Sequence, residues 1–275
     1  MGLGSAFIAS KVPFSLELSM GSGLVKYPIG FQSWIVRDDI GKDFPGTLKK
    51  VSQLGYQAVE MCSPLGYKDL GFGPLEKYSG KEVKQIVNDS GLQLLSTHYG
   101  MDEMRKNLDD RIKWASDSGQ KQMVVSSVGL PEDASLSDWM KAADELNKMG
   151  TVVGKAGLTL GYHNHDNEFK VLEGKLIYDE LMKELDSKLV KMQFQVAVIR
   201  IGFKAVDYFK KYPGRFISAH LADVSKETKK QVPIGQGVVD WKEFFSAAQA
   251  AGVKNIFVEM GFETFKDSFN YLHNL

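Results

Sequence analysis

The sequence predicts a single (β/α)₈ barrel, and two observations support this prediction. Eight short apolar runs alternate with amphipathic helical patterns along the 275 residues, which is the order that repeated βα units produce. Glycine stands at six of the seven helix-to-strand turns, where the left-handed backbone of a helix end suits a residue without Cβ. No Pro-rich or Ser-rich linker divides the units, so we expect one domain over residues 28–275, preceded by an extension of unknown role at residues 1–27.

The bounds of the elements follow from the spacing of apolar residues, which repeats every two residues in a strand and about every 3.6 in a helix. We predict strands at residues 29–35, 58–62, 93–99, 122–128, 159–165, 190–199, 216–221 and 255–260. We predict helices at residues 44–54, 81–89, 104–117, 136–155, 178–185, 205–211, 241–251 and 265–272. The turn glycines are Gly55, Gly91, Gly119, Gly157, Gly214 and Gly252.

Composition and charge restrict the kinds of partner. Lys plus Arg equals Asp plus Glu at 34 each, so no net field attracts nucleic acid or an anionic membrane, and a small neutral ligand fits better. Cys62 is the only cysteine, which excludes an intrachain disulfide and a zinc site of several thiolates. No run approaches the roughly 20 apolar residues of a membrane span. We expect a soluble protein, cytoplasmic by default with the periplasm as the alternative, and leave its oligomeric state open.

Nucleotide cofactors are disfavoured by missing motifs. No G-x-G-x-x-G follows a predicted strand, and the P-loop pattern G-x-x-x-x-G-K-[ST] does not occur. We therefore expect no nucleotide cofactor.

Histidines and carboxylates gather where the predicted strands end, which is where barrel enzymes carry their catalytic groups. Glu60, His98, His220 and Glu259 end strands two, three, seven and eight, and His163 and His165 end strand five. Residues two apart on a strand share a face, and two imidazoles directed at one space are hard to explain as packing. Two of the other residues keep a structural alternative: His98 as a hydrogen-bonded strand residue, and Glu60 as half of an ion pair.

Four motifs resemble those of the xylose isomerase-like barrel superfamily, which includes sugar isomerases and epimerases, inosose dehydratases and endonuclease IV. They are GYHNHDNEF at residues 161–169, FISAHLAD at 216–223, PIGQGVVDW at 233–241, and the pair Val258-Glu259. The resemblance covers nearly the whole chain from Pro28. It implies a divalent metal held by a glutamate, an aspartate, a histidine and a second glutamate at the ends of strands five to eight.

Those four ligand positions fall on His163, Gln195, His220 and Glu259, so two expected carboxylates are replaced. Magnesium and manganese prefer anionic oxygen, and this set offers one formal negative charge. We therefore expect zinc, cobalt or nickel, which accept imidazole, to be favoured over magnesium or manganese if one metal binds. A site that has lost its metal is the alternative.

The resemblance also suggests roles. Glu259 is the expected base that removes a proton next to a carbonyl, and His163 is its expected acid–base partner or a ligand. The predicted substrate-binding residues are Glu60, His98, His165, Glu168 and Trp34. Phe72 is a further candidate for an apolar platform under a sugar ring.

Four functions are compatible with these features. The first is an isomerase or epimerase of a sugar or sugar derivative that acts through an enediolate. The second is a keto-sugar lyase or dehydratase, which shares that intermediate and differs in what leaves. The third is a carbohydrate-binding barrel without catalysis, suggested by Gln195. The fourth, a DNA-repair endonuclease, is disfavoured by zero net charge and by Gln195.

Overall fold

Eight parallel strands close into a ring in the computed structural model, which describes residues 23–275. In chain order the strands are β1 Ile29–Gln32, β2 Ala58–Cys62, β3 Gln93–Gly100, β4 Gln122–Ser127, β5 Thr159–His163, β6 Val190–Gln195, β7 Phe216–Leu221 and β8 Asn255–Val258. Each strand pairs with its neighbours in sequence, and β8 pairs with β1. The predicted fold class is confirmed.

Helices surround the barrel, and each buries an apolar face against it. They are α1 Phe44–Ser52, α2 Gly80–Asp89, α3 Met101–Ser118, α4 Leu136–Lys155, α5 Ile177–Glu184, α6 Ala205–Lys211, α7 Trp241–Ala250 and α8 Phe265–Asn274. Ser79 and Ser135 begin α2 and α4 with capping boxes, in which side chain and backbone exchange hydrogen bonds. A short two-stranded ribbon, Val171–Leu172 with Lys175–Leu176, precedes α5.

All six predicted turn glycines have positive φ angles. Gly55 shows why a side chain is excluded there, since its φ is 105° and a Cβ would lie 2.3 Å from the Phe269 ring. The prediction of glycine-ended helices is confirmed.

Four predicted strands extend two or more residues too far at their carboxyl ends. The predictions 29–35, 159–165, 190–199 and 255–260 end in the structure at Gln32, His163, Gln195 and Val258. Apolar residues continue beyond Gln32 and Gln195, but each glutamine side chain accepts a hydrogen bond from the backbone N–H two residues on and starts a 3₁₀ turn. His165 therefore lies in the loop after β5, and Glu259 lies directly after β8.

Two further features lie outside the barrel interior. Phe72 is fully buried and packs edge-on against Tyr67, so its predicted role as a sugar platform is wrong. The long loop after β7 folds around the buried Asp223 carboxylate, which accepts hydrogen bonds from Val224, Gly235, Gly237 and Val239 backbone N–H groups and from Trp241 Nε1.

Two other predictions concern the rest of the chain. In the part of the chain that the structure describes, no helix is long and apolar enough to cross a membrane. Residues 1–22 of the predicted extension at 1–27 lie outside the described residues.

Candidate functional site

The floor of the site is a fully buried carboxylate, Glu60, inside the barrel. Strand register places it beside Gln32 on β1 and Ser96 on β3. The Glu60 carboxylate accepts hydrogen bonds from Gln32 Nε2 at 2.8 Å, from Ser96 Oγ and from Gln193 Nε2 at 2.9 Å. Burial alone would raise the pKa of Glu60, but His98 and His220 outweigh it and hold this pKa below its usual range. Glu60 is therefore ionised at neutral pH.

His220 bridges Glu60 and Glu259. Its Nε2 lies 2.6 Å from Glu60 Oε1, and its Nδ1 lies 2.9 Å from Glu259 Oε2. Burial opposes charge on this imidazole, but Glu259 and Glu60 outweigh it and raise the pKa of His220 to about 9. The bridge is an imidazolium between two carboxylates at neutral pH, and this explains how two acidic groups coexist inside the barrel.

This bridge predicts that metal-stripped protein loses stability as pH rises. The folded state keeps the His220 proton up to about pH 9, whereas the unfolded chain releases it near 6.5. The stabilisation is complete below pH 6.5 and is lost between 6.5 and 9. The whole shift corresponds to about 3 kcal/mol of unfolding free energy. Urea unfolding across this pH range measures it. His273→Gln, which changes an exposed histidine, should keep the slope, and a flat profile in the natural sequence would contradict the bridge.

Above this floor lies a cavity of about 430 Å³ at the carboxyl end of the barrel. Its wall includes Glu259, Gln195, His165 and Trp34. Burial would raise the pKa of Glu259, but His220 outweighs it and holds this pKa below the usual range. Burial lowers the pKa of His165, so its imidazole is neutral at neutral pH. An ionised carboxylate and a neutral imidazole therefore face the same space.

Glu168 fixes the loop that carries His165. Its carboxylate accepts hydrogen bonds from the Tyr162 hydroxyl and, at 2.8 Å, from the His165 backbone N–H. The Glu168 side chain is buried, and the hydrogen bond from Tyr162, on β5, ties the loop to the barrel. Its predicted role in gripping a sugar remains a prediction, while these contacts give it a positioning role for His165.

Three histidines could hold a metal ion beneath the cavity. His98, His163 and His220 each offer a ring nitrogen, and these nitrogens lie within 4.8 Å of one another. His163 Nδ1 is buried and has no hydrogen-bond partner among residues 23–275, which is costly unless a ligand supplies one. Burial, with His220, His165 and His98 nearby, lowers the pKa of His163 well below its usual value. A neutral imidazole is the form that binds metal, so His163 fits a metal that accepts nitrogen ligands, whereas His220 would first have to release the proton that it shares with Glu60 and Glu259.

The structure brings together most of the predicted site residues. His163 and His220 lie 4.4 Å apart between ring centres with their planes tilted by 46°, and Gln195 Nε2 donates to Glu259 Oε2 at 2.5 Å. The four predicted metal ligands are therefore adjacent. His98, predicted to bind substrate, lies instead against His220 and Glu60, below the cavity.

Sequence reasoning missed the amide network and part of the cavity wall. Gln193 joins His98, Glu60 and Ser218 through its side-chain amide. Asn167, Arg200 and Gln231 line the cavity. The signal for Gln193 was present, because Gln193 and Gln195 alternate in an otherwise apolar strand and share a face.

The fold and the site define a class: barrels of eight parallel strands with histidines and carboxylates clustered where the strands end. Residues 48–274 match the family described as xylose isomerase-like TIM barrel. The chain belongs to this family, and the predicted resemblance is confirmed.

The three relatives described next are 13% to 32% identical to this chain in sequence. An inosose dehydratase of Clostridium perfringens is 32% identical over 197 residues, which are 64% of this chain and 66% of the relative. The chain thus spans just under two thirds of that protein. A sugar phosphate isomerase/epimerase of Parabacteroides distasonis has a TM-score of 0.74 at 23% identity, over 90% of this chain and 96% of that one. The IOLI protein with a bound zinc atom has a TM-score of 0.62 at 13% identity, over 90% and 94%.

Proposed function

We propose that the protein is an enzyme that removes a proton next to a carbonyl of an unphosphorylated sugar or cyclic sugar derivative, and so isomerises or epimerises it. One observation supports this most: ionised Glu259 and neutral His165 line the same cavity. A carboxylate can accept the proton, and a nearby imidazole can exchange a second proton with the substrate. Family membership and the name of the Parabacteroides neighbour are compatible with this reaction.

His165 is better placed than His163 to exchange this proton. His163 is 1% exposed and does not line the cavity, whereas His165 does. We assign His163, with His98 and His220, to holding a metal that prefers imidazole. When bound, such a metal would supply Lewis-acid chemistry. The zinc atom named for the IOLI neighbour supports this assignment.

The charges around the cavity favour an unphosphorylated substrate. Arg200 is the only Lys or Arg side chain among the described residues that line it, and it forms an ion pair with Asp166. Glu259 and Asp166 add negative charge to the same wall. A phosphate group would meet these carboxylates and would have to compete for Arg200, so a neutral polyol fits better.

Dehydration is the second candidate. The curated relative from Clostridium perfringens is an inosose dehydratase, and loss of water can start from the same proton abstraction. In that reaction the proton that Glu259 removes from carbon would pass to the departing hydroxyl group, which leaves as water.

The test incubates the purified protein, with its metal content measured by mass spectrometry, with inososes, 3-keto-sugars, ketohexoses and their phosphates in D₂O. We expect conversion of an unphosphorylated compound, with deuterium at the carbon next to the carbonyl. An isomer of the substrate supports isomerisation, and a product lighter by one water supports dehydration. Conversion of phosphates alone would contradict the charge argument. Binding without any conversion would support the carbohydrate-binding alternative.

A further inference from the structure

A second cavity of about 360 Å³ adjoins the first. His165 and Asn167 line both cavities, so the segment after β5 is their common boundary. Glu168 lines the second cavity and fixes this segment, because its carboxylate accepts a hydrogen bond from the His165 backbone N–H. A ligand longer than one ring, bound beside Glu259, would reach the second cavity at His165 and Asn167.

The second cavity offers polar groups of several kinds to a ligand. Its lining includes the Glu132 carboxylate, the Lys170 ammonium group and the Asn167 amide. No hydrogen bond or ion pair within residues 23–275 occupies any of these three side chains. Ser127 Oγ accepts a hydrogen bond from the Gly129 backbone N–H at 3.1 Å and keeps its own proton to donate. Donors and acceptors therefore face the same space.

The formal charges in this lining favour a neutral ligand with hydroxyl groups. The carboxylates of Glu132 and Glu168 outnumber the ammonium group of Lys170, so a phosphate group would meet more repulsion than attraction. A purely apolar group would leave the polar side chains around it without partners. A hydroxyl group can donate to a carboxylate and accept from an ammonium group, so it satisfies both.

The apolar part of the lining suits a sugar ring. Trp139 is 7% exposed and lines the cavity together with Leu130 and Leu172. A pyranose has C–H groups on its faces and hydroxyl groups around its edge, so a face can pack on an aromatic or aliphatic surface while the edge reaches polar groups. Sites for small ligands span about 300–1,000 Å³, and each of the two cavities falls within that range.

We propose that the substrate contains two sugar rings and that the ring that does not react binds in the second cavity. The proposal rests on the proposed function, because it places the reacting ring in the cavity of Glu259 and His165. It makes Glu132, Trp139 and Lys170 specificity-determining residues for that reaction.

The test uses isothermal titration of the protein, as purified, with methyl glycosides, whose locked rings cannot open to a carbonyl. Methyl glucoside is compared with the methyl glycosides of maltose, isomaltose, cellobiose, laminaribiose and sophorose. We expect at least one disaccharide to bind about tenfold or more tightly than methyl glucoside, because the second ring adds hydrogen bonds and buried surface. The proposal is overturned if none does, or if octyl glucoside or glucose 6-phosphate binds more tightly than every disaccharide.

Two variants locate this preference in the second cavity. Lys170→Met keeps the apolar stem but removes the ammonium donors, and it should lower the ratio of the two affinities about threefold or more. Lys175→Met is the matched control, because Lys175 is an exposed lysine of the nearby ribbon that lines neither cavity, and it should keep the ratio. Ala134→Phe fills the cavity and should bring the ratio close to one while leaving methyl glucoside binding unchanged.

The proposal is also overturned if Lys170→Met and Ala134→Phe both leave the ratio intact in variants that circular dichroism shows to be folded. Conversion of free keto-sugars or inososes in D₂O tests the proposed function separately. An active enzyme without disaccharide preference would reject the second cavity alone as a sugar subsite. A disaccharide preference without conversion of any keto-sugar would support the subsite and reject the proposed reaction.

Discussion

Glu259→Gln should lower turnover by about 10² to 10⁴ while leaving sugar binding nearly intact. Glutamine keeps the shape of the side chain, and its carbonyl oxygen can still accept hydrogen bonds from His220 Nδ1 and Gln195 Nε2. What the substitution removes is the ionised base on the cavity wall. Turnover in D₂O measures both effects, since the residual reaction should also incorporate less deuterium per unit time next to the carbonyl.

The matched control for this prediction is Glu263→Gln. Glu263 is an exposed carboxylate four residues further on that does not line the cavity, so turnover should be unchanged. Unfolding curves of both variants exclude a loss of structure as the cause. If Glu259→Gln leaves turnover unchanged, Glu259 is not the base, and Glu168 and Glu60 become the candidates.

Gln195→Asp should raise the affinity for manganese or magnesium by at least about tenfold. The Gln195 amide now donates to Glu259, and an aspartate in its place would set a second carboxylate beside the first. Hard divalent ions prefer such paired anionic oxygen ligands. Without metal the two like charges repel each other, so the stripped variant should also unfold more easily, by about 1–2 kcal/mol.

Gln195→Asn is the control for side-chain length, because asparagine is as short as aspartate but carries no charge. Titration of chelator-treated protein with manganese and zinc chloride compares the two variants with the natural sequence. Equal manganese affinity of the Asp and Asn variants would contradict the prediction. Stoichiometric magnesium or manganese retained through purification of the natural protein would show that the metal site is misplaced.

Much of the fold could be predicted from the sequence because local signals agreed with it. The bounds of β2 and β7 match the prediction to the residue, since turn residues bound both apolar runs. Elsewhere a polar side chain ended a strand that its neighbours could have continued. Gln195 caps the 3₁₀ turn over Val196–Ile201, and these residues are apolar enough to be mistaken for strand.

The site was less predictable, because its layers depend on distances across the barrel. The sequence placed His98, His163 and Glu60 at strand ends, but it could not show which side chains would lie beneath the cavity and which would line it. Glu60 is fully buried and bound by five polar neighbours, whereas Glu259 keeps 17% of its side chain exposed. Only the closed ring, with β8 next to β1, brings these residues together.

The Asp223 contacts bear on how this chain can diverge. The Asp223 carboxylate binds the start of the loop after β7 at Val224 and its end from Gly235 to Trp241, so none of these contacts involves the exposed tip at residues 226–230. Lys226, Lys229 and Lys230 in that tip are exposed. Insertions and substitutions at residues 226–230 can accumulate over evolution without breaking these contacts or the hydrogen bond from Gly261 N–H to Gln231 Oε1, whereas a change of Asp223 would release five backbone and indole donors at once. New surface properties can thus arise within a few residues of an unchanged reaction centre.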